Sequence, residues 1–343
     1  MSERALHIRQ REALIRARVI DVHAHAVLDQ TMGALGDFGP ELGGQEGDQP
    51  WFRVGDYRLD GVRYRGSPFM DPSLRIQRMD AAGIDFQLLS PNPLTYLHHI
   101  DADSAASFCR THNDALAEVV AAHPERFGAL AAVPIQEPRL AVEELVRCVQ
   151  SGFFGACIGT DSRYPLHAAE MDVFYDACVW LDVPLFLHPA PAGIDGPVAD
   201  PSLRHFDLDV VVGFAAQETT AVGLLIFGGV LHRHPGLDVC LSHGAGALGY
   251  LAPRLALAAR KRPWAPDWLR ADGAFEGLLH RLWMDNHVGS EASESLLMQT
   301  VNDAHLVFGT NFAGWDAPAD LAAHRPSPKL ADNARRLLRV GRP

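Results

Sequence analysis

The sequence lacks the features of several large classes of protein. None of its five cysteines forms a Cys-x-x-Cys pair, and their number is odd. Cys157 and Cys240 have apolar neighbours, so we expect buried, reduced thiols of a cytoplasmic protein. No apolar run reaches the length of a membrane span, and residues 1–18 lack the apolar segment of a signal peptide. We therefore expect neither secretion nor membrane insertion.

Positive charge is also scarce. The chain has 30 basic and 42 acidic residues, which give a net charge of −12. This balance is unlike that of a nucleic-acid-binding protein, which normally carries a basic patch. An anionic small-molecule substrate would need local arginines to counter the negative field. The 343 residues, 48% of them hydrophobic, are enough for a large globular core.

Short apolar strands alternate with helical segments along the whole chain. This alternation predicts a parallel sheet covered by helices, and eight such units predict a (β/α)₈ TIM barrel forming a single domain over 1–343. Residues 30–68 are rich in Gly, Asp and Arg, and we expect a small insertion there after the first strand. The predicted strands are 19–25, 86–90, 127–133, 156–159, 184–187, 237–241, 281–284 and 306–308.

Histidines follow several of these strands. His23 and His25 alternate on the first strand and therefore project from the same face. His188 ends the fifth strand and His243 follows the sixth. A single histidine of this kind is more often a hydrogen-bonded core residue than a ligand. The carboxyl ends of barrel strands surround one mouth, however, so four histidines from three strands favour a metal site, and three imidazoles are typical of catalytic zinc.

These residues lie within longer stretches that run in order from the first strand to the eighth. Together the stretches resemble the decarboxylase branch of the amidohydrolase superfamily, of the α-amino-β-carboxymuconate-ε-semialdehyde decarboxylase type. The resemblance covers nearly the whole chain and implies the fold more strongly than a substrate. The matching stretches are IDVHAH at 20–25, DPSLRIQRMD at 71–80, ERFG at 125–128, FLHP at 186–189, QETT at 217–220, LSHGAG at 241–246 and FGTN at 308–311.

The resemblance implies roles for the histidines. His23, His25 and His188 would bind a divalent metal, most often Zn²⁺, with Mn²⁺ and Fe²⁺ as alternatives. His243 would be catalytic, activating a metal-bound water or carrying a proton. Asn311, at the end of the eighth strand, occupies the position of a further metal ligand and catalytic group. A homodimer is also implied.

Arginines would bind the substrate carboxylate through their planar, bidentate guanidinium groups. Arg254, eleven residues after His243, is one candidate, and Arg63 or Arg65 in the insertion is the second. Each of them could instead be a solvated surface charge. Arg75 is expected to brace the barrel. Glu218 is expected to orient a ligand histidine or to lie on a helix surface.

Two positions depart from the family pattern. The family has Asp where this chain has Asn311, and a neutral amide can approach a metal but cannot take a proton from a bound water. Neither Asp285 nor Asp316 is expected to replace that carboxylate well. Ala190 stands where the type enzyme carries a pocket-lining Trp, so a different substrate is expected.

The leading functional prediction is a metal-dependent decarboxylase, a carbon–carbon lyase acting on a carboxylated unsaturated or aromatic acid. The alternative is a metal-dependent hydrolase of the same superfamily. A third hypothesis is a weakly metallated or inactive variant, which rests on Asn311 alone. Product analysis separates the first two, and metal analysis separates both from the third.

Overall fold

A computed structural model describes residues 3–44, 48–197, 200–318, 320 and 326–341. Eleven strands lie within this part of the chain. In chain order they are β1 (Ile20–Ala26), β2 (Glu41–Gly43), β3 (Trp51–Val54), β4 (Tyr57–Asp60), β5 (Phe86–Pro91), β6 (Phe127–Ala129), β7 (Ala156–Gly159), β8 (Leu185–His188), β9 (Val239–Leu241), β10 (Trp283–Asp285) and β11 (Leu306–Val307).

The α-helices of the described residues mostly separate consecutive barrel strands. The short helices α10 and α11 are additional to those predicted from the pattern. In chain order the helices are α1 (Glu3–Arg16), α2 (Pro72–Ala82), α3 (Ala102–Ala122), α4 (Pro138–Gln150), α5 (Asp172–Trp180), α6 (Leu208–Val211), α7 (Gly213–Phe227), α8 (Val230–Arg233), α9 (Leu248–Lys261), α10 (Asp267–Arg270), α11 (Ala274–Leu279), α12 (Glu291–Thr300) and α13 (Pro328–Leu337).

Eight parallel strands are arranged in the order of a (β/α)₈ barrel. They form two sheets, β1-β5-β6 and β11-β10-β9-β8-β7. A bridge between Ala131 and Ala156 links the sheets on one side. On the other side Val22 N donates to Phe308 O at 2.9 Å. Neither sheet closes on itself, but the strand order and these two links confirm the predicted barrel fold.

The insertion after β1 forms a separate antiparallel sheet. Its order is β2-β3-β4, one strand more than a hairpin. Phe52 and Val54 on β3 are buried beside Tyr64, Leu94 and Phe108 in a small apolar cluster of their own. The sheet is therefore anchored by packing against the barrel loops, and residues 57–64 form one wall above the strand ends.

Local signals in the sequence explain how the first barrel unit is held. The Asp71 side chain caps α2 by accepting from the backbone N of Ser73 and Leu74, as Asp before Pro predicts. Arg75 then lies inside the protein, 3% exposed. Its guanidinium donates to His25 O at 2.5 Å and to Gln87 Oε1 at 3.2 Å. Arg75 thus braces β1 against β5, in agreement with the expectation.

Two further expectations concern thiols and membranes. All five cysteines are buried and free. Among the described residues no single helix is long and apolar enough to cross a membrane. The segments Pro201–Val211 and Gly213–Phe227 would together pass by length and composition, but they meet at an angle of 82°.

Candidate active site

Three buried histidines meet at the carboxyl ends of β1 and β8. His23, His25 and His188 are each 4% exposed. In all three rings Nδ1 is engaged, which fixes the ring and leaves Nε2 to face inward. Such orientation by an outer partner is typical of metal-binding histidines. The acceptors are Asp285 Oδ2 at 2.7 Å, Pro91 O at 3.0 Å and Pro189 O at 2.6 Å, respectively.

The inward nitrogens converge. Nε2 of His25 lies 3.2 Å from Nε2 of His188. Nε2 of His23 is buried and has no hydrogen-bond partner among the described residues. Ring nitrogens of His23, His188 and His243 all lie within 4.8 Å of one another. A buried nitrogen lone pair without a donor is costly in a folded protein, and a cation bound by His23 together with His25 and His188 would satisfy it.

The electrostatics of the three rings suit cation binding. Burial holds the pKa of His23 and of His188 well below the ordinary value, and neighbouring imidazoles add to this effect. Burial also lowers the pKa of His25 to about 3. The rings are therefore neutral at physiological pH, which is the form that binds metals.

His243 differs from these rings because it faces a buried carboxylate. Its Nδ1 donates to Glu218 Oε1 at 2.9 Å. Burial alone would lower the pKa of His243, but the charge and hydrogen bond of Glu218, with Asp285 and Asp316 nearby, raise it to about 9. Glu218 is fully buried and also accepts from Ser242 Oγ at 2.5 Å. His243 can therefore hold a proton at the mouth of the barrel.

Two buried carboxylates, those of Asp285 and Asp21, accept hydrogen bonds from His23. Asp285 accepts from His23 Nδ1 through one oxygen and from the backbone N of Gly244 and His287 through the other. Asp21 accepts from His23 N at 3.1 Å and from Thr310 Oγ1 at 2.7 Å. Burial raises the pKa of Asp21 to about 6. Asp21 was not predicted as a site residue, although it lies two residues before His23 on the same strand face, which is where a supporting side chain would be sought.

Asn311 follows β11 and lies beside a further acidic residue, Asp316. Its Nδ2 donates to Asp316 Oδ1 at 2.6 Å. The other oxygen of Asp316 lies 3.1 Å from Nε2 of His287. Burial opposes ionisation of Asp316, but hydrogen bonds from His287 and Asn311 and the charges of the nearby imidazoles lower its pKa to about 2. His287 was not singled out from the sequence; its position two residues after Asp285 on β10 was the only signal.

Two cavities open beside these residues. One, of 530 Å³, is lined by His243, His287 and Asp316. The other, of 650 Å³, is lined by His25 and His188 and by the aromatic side chains of the insertion. Both share a border in which Asn311 lies beside the apolar residues Val210, Val211, Phe214 and Trp315. The space next to the histidines is thus large enough for a small organic molecule with an apolar body.

The structure separates the predicted arginines. Arg63 lines the 650 Å³ cavity that also contains His25. Arg65 is exposed and pairs with Asp29 at 2.9 Å, away from that cavity. Arg254 is exposed on α9 and lines neither cavity, so a single chain does not bring it to the histidines. Arg254 is the seventh residue of α9 and lies on the exposed side of that helix. Ala190 also lines neither cavity.

A family model described as amidohydrolase matches residues 20–340. Among curated relatives, the 2-amino-3-carboxymuconate-6-semialdehyde decarboxylase of Dictyostelium discoideum is 27% identical over 258 residues, which cover 74% of this chain and 70% of that protein. The gamma-resorcylate decarboxylase of Rhizobium sp. (strain MTP-10005) is 35% identical over 218 residues, which cover 61% of this chain and 65% of that protein. The chain thus matches slightly less than two thirds of the length of the second relative.

A solved structure has the same fold. The 5-carboxyvanillate decarboxylase of Novosphingobium aromaticivorans DSM 12444, complexed with manganese and 4-hydroxy-3-methoxy-5-nitrobenzoic acid, superposes with a TM-score of 0.71. It is 23% identical, and the match covers 79% of this chain and 81% of that one. At this identity the likeness concerns the fold.

Proposed function

Because the chain belongs to the amidohydrolase family, we propose that it is a metal-dependent carboxy-lyase that removes carbon dioxide from a carboxylated unsaturated or aromatic acid. The observation that carries the proposal is the set of inward-facing Nε2 atoms of His23, His25 and His188, each oriented through its Nδ1. The relatives named as decarboxylases support the reaction type.

The neutral histidines fit a divalent cation. His23, His25 and His188 would hold it, with Asn311 at the border of both cavities as a further oxygen donor. When bound, such a cation acts as a Lewis acid toward oxygen atoms of the substrate. Imidazole nitrogens suit zinc, and the comparison structure contains manganese. Metal analysis of the purified protein by mass spectrometry decides the identity.

His243 is proposed as the proton donor. Its Nδ1 is occupied by Glu218, so Nε2 is the atom that can deliver a proton. The raised pKa keeps that proton available at neutral pH. Decarboxylation breaks a carbon–carbon bond and leaves its electron pair on carbon, where the proton from His243 Nε2 completes the product.

The cavities indicate the kind of substrate. Aromatic and aliphatic side chains, among them Tyr57, Phe214 and Trp315, form most of the walls. Arg63 is the cation proposed to bind a carboxylate there, since the guanidinium matches it in a bidentate manner. An aromatic or conjugated acid would fill such a space with its ring and present a carboxylate to Arg63.

The test is turnover of labelled acids by the metal-loaded enzyme. A panel containing 2,6-dihydroxybenzoate and 5-carboxyvanillate, each labelled in the carboxyl carbon, should yield labelled carbon dioxide with at least one member. His243→Ala should abolish this release while leaving the metal content unchanged. Turnover of a panel member to products without carbon dioxide would instead favour the hydrolase. Full turnover by His243→Ala would overturn the role of that residue.

A further inference from the structure

The proposed cation site lacks a dedicated negative charge. Its histidines are neutral, and the unpartnered Nε2 of His23 faces it from a position 4% exposed. Glu218 and Asp285 are both nearby and buried, and each accepts hydrogen bonds from the protein, although Glu218 Oε2 has no partner among the described residues. Glu218 accepts from His243 and Ser242, and Asp285 accepts from His23 and two backbone N–H groups. A divalent ion bound by these neutral ligands alone would have no carboxylate in direct contact with it.

Asp316 is an acidic side chain that faces the same space and, unlike the fully buried Glu218, is partly exposed there. It receives one hydrogen bond from Asn311 and one from His287, and its side chain is 27% exposed toward the 530 Å³ cavity. Ligand atoms of Asp316, His287 and His243 lie within 4.8 Å of one another. His243 is also one of the three residues whose nitrogens meet near His23, so the two groups are contiguous.

A tight turn holds Asn311 against Asp316. Gly314 N donates to Asn311 O at 2.7 Å. A Cβ at Gly314 would lie 2.7 Å from both the Nδ2 and the backbone O of Asn311, which no real side chain tolerates. Asn311 itself has a φ of +45°, a conformation that Asn adopts more readily than most residues. The contact between Asn311 and Asp316 therefore depends on the backbone conformation of this turn.

The contact also fixes which way the amide points. An ionised carboxylate only accepts hydrogen bonds, so the group of Asn311 that touches Asp316 must be the amino group. The carbonyl oxygen Oδ1 is then turned away from Asp316 and is left for another partner. A carboxylate that accepts from an amide nitrogen also increases the negative charge on the amide oxygen, because hydrogen bonds in a chain polarise one another.

We propose that Asn311 and Asp316 act as one unit at the cation site, in which Asn311 Oδ1 is the ligand atom and Asp316 is a positioning residue that supplies the negative charge. This inference rests on the proposed function, since it assumes that the histidines bind a divalent cation. It gives Asp316 part of the role of the carboxylate that Asn311 replaces, which was not expected from the sequence. It also means that Asn311 does not by itself make the site inactive.

The pair predicts an unusual pattern of substitutions. Asp316→Asn removes the charge and should weaken binding of Zn²⁺ or Mn²⁺ to the metal-free protein by about 10- to 100-fold, as for other partners of metal ligands. The exchange variant Asn311→Asp/Asp316→Asn restores one carboxylate and one amide, in swapped positions. It should recover affinity to within about tenfold of the parent, which is a coupling of the size expected for residues in contact.

The measurement is competition with a chromophoric chelator, which needs no substrate. Asp209→Asn, a charge-matched change at a residue that lines neither cavity, should leave affinity unchanged. If Asp316→Asn unfolds, Asn311→Gly provides a second variant. It removes the amide at a φ that glycine accepts, and it should show the same loss.

Two results would overturn the inference alone. The first is that the parent and the Asp316→Asn variant bind the metal with equal affinity. The second is that the exchange variant binds the metal no more tightly than Asp316→Asn does. Failure of the parent to bind either metal, with folded protein, would instead overturn the proposed function and the inference with it. Metal affinity thus separates the two failures.

Discussion

Replacement of Asp285 by Asn tests how the site orients its histidines. The carboxylate is 2% exposed and receives three hydrogen bonds. Oδ2 faces His23 Nδ1 at 2.7 Å, and Oδ1 faces the backbone N of His287 at 3.0 Å and of Gly244 at 3.3 Å. An asparagine has only one oxygen, so it cannot accept on both sides.

Either orientation of the new amide has a cost. If its amino group faces the backbone donors, those two N–H groups lose their acceptor. If it faces His23, Nδ1 must become the acceptor, and the proton moves to Nε2, which blocks that atom as a ligand. We therefore expect Asp285→Asn to weaken metal binding by about 10- to 100-fold, equivalent to about 1.4–2.8 kcal/mol. Its metal-free form should lose about 1.5–3 kcal/mol of unfolding free energy.

A matched control exists elsewhere in the chain. Asp172 accepts from His234 Nε2 at 3.0 Å, so Asp172→Asn alters a similar pair. Neither residue lines the cavities at the strand ends. This control should lower stability without changing metal affinity. Chelator competition and urea unfolding measure the two effects separately, and unchanged metal binding by Asp285→Asn would refute the reasoning.

The structure makes three further predictions. The pKa of His243 is about 9 in the folded protein, against 6.5 in an unfolded chain. This difference stabilises the metal-free protein fully below pH 6.5, and the stabilisation should disappear as pH rises through 9. Urea unfolding in the presence of a chelator would measure it. Arg63→Ala should raise KM for a carboxylate substrate roughly tenfold, whereas Arg65→Ala should not; equal effects would place the anion site elsewhere. Gly309→Ala places a Cβ 2.8 Å from the Cβ atoms of Asp285 and His23 and should lower the unfolding free energy by about 1–3 kcal/mol. Gly277→Ala meets nothing within 4 Å and should stabilise its helix; urea unfolding measures both changes.

The fold could be predicted because its signals are local. Asp71 and Pro72 define the start of α2, and the apolar runs before His25 and His188 define two strands whose ends meet in any barrel. The histidines could be predicted for the same reason, since strand position alone brings them together. The barrel prediction is confirmed, and the metal roles stay proposals.

The contacts between distant loops could not be predicted. Asp285 reaches His23 across 262 residues, and no local pattern encodes that pairing. Asp316 was named from the sequence, but its contact with Asn311 depends on a turn around Gly314. Spacing from His243 does not specify which side of α9 faces the mouth, so the role of Arg254, which lines neither cavity of the single chain, stays a prediction.

The hydrogen bonds of Asp21 have a consequence for the order in which the protein matures. Thr310 donates to Asp21 from 289 residues further along the chain. During synthesis Asp21 can therefore accept from His23 N and Gln87 Nε2 long before Thr310 has left the ribosome. The set of hydrogen bonds to Asp21 is complete only when β11 has joined β1. If His23, His25 and His188 bind a divalent ion as proposed, we expect loading to follow assembly of the barrel rather than to nucleate folding.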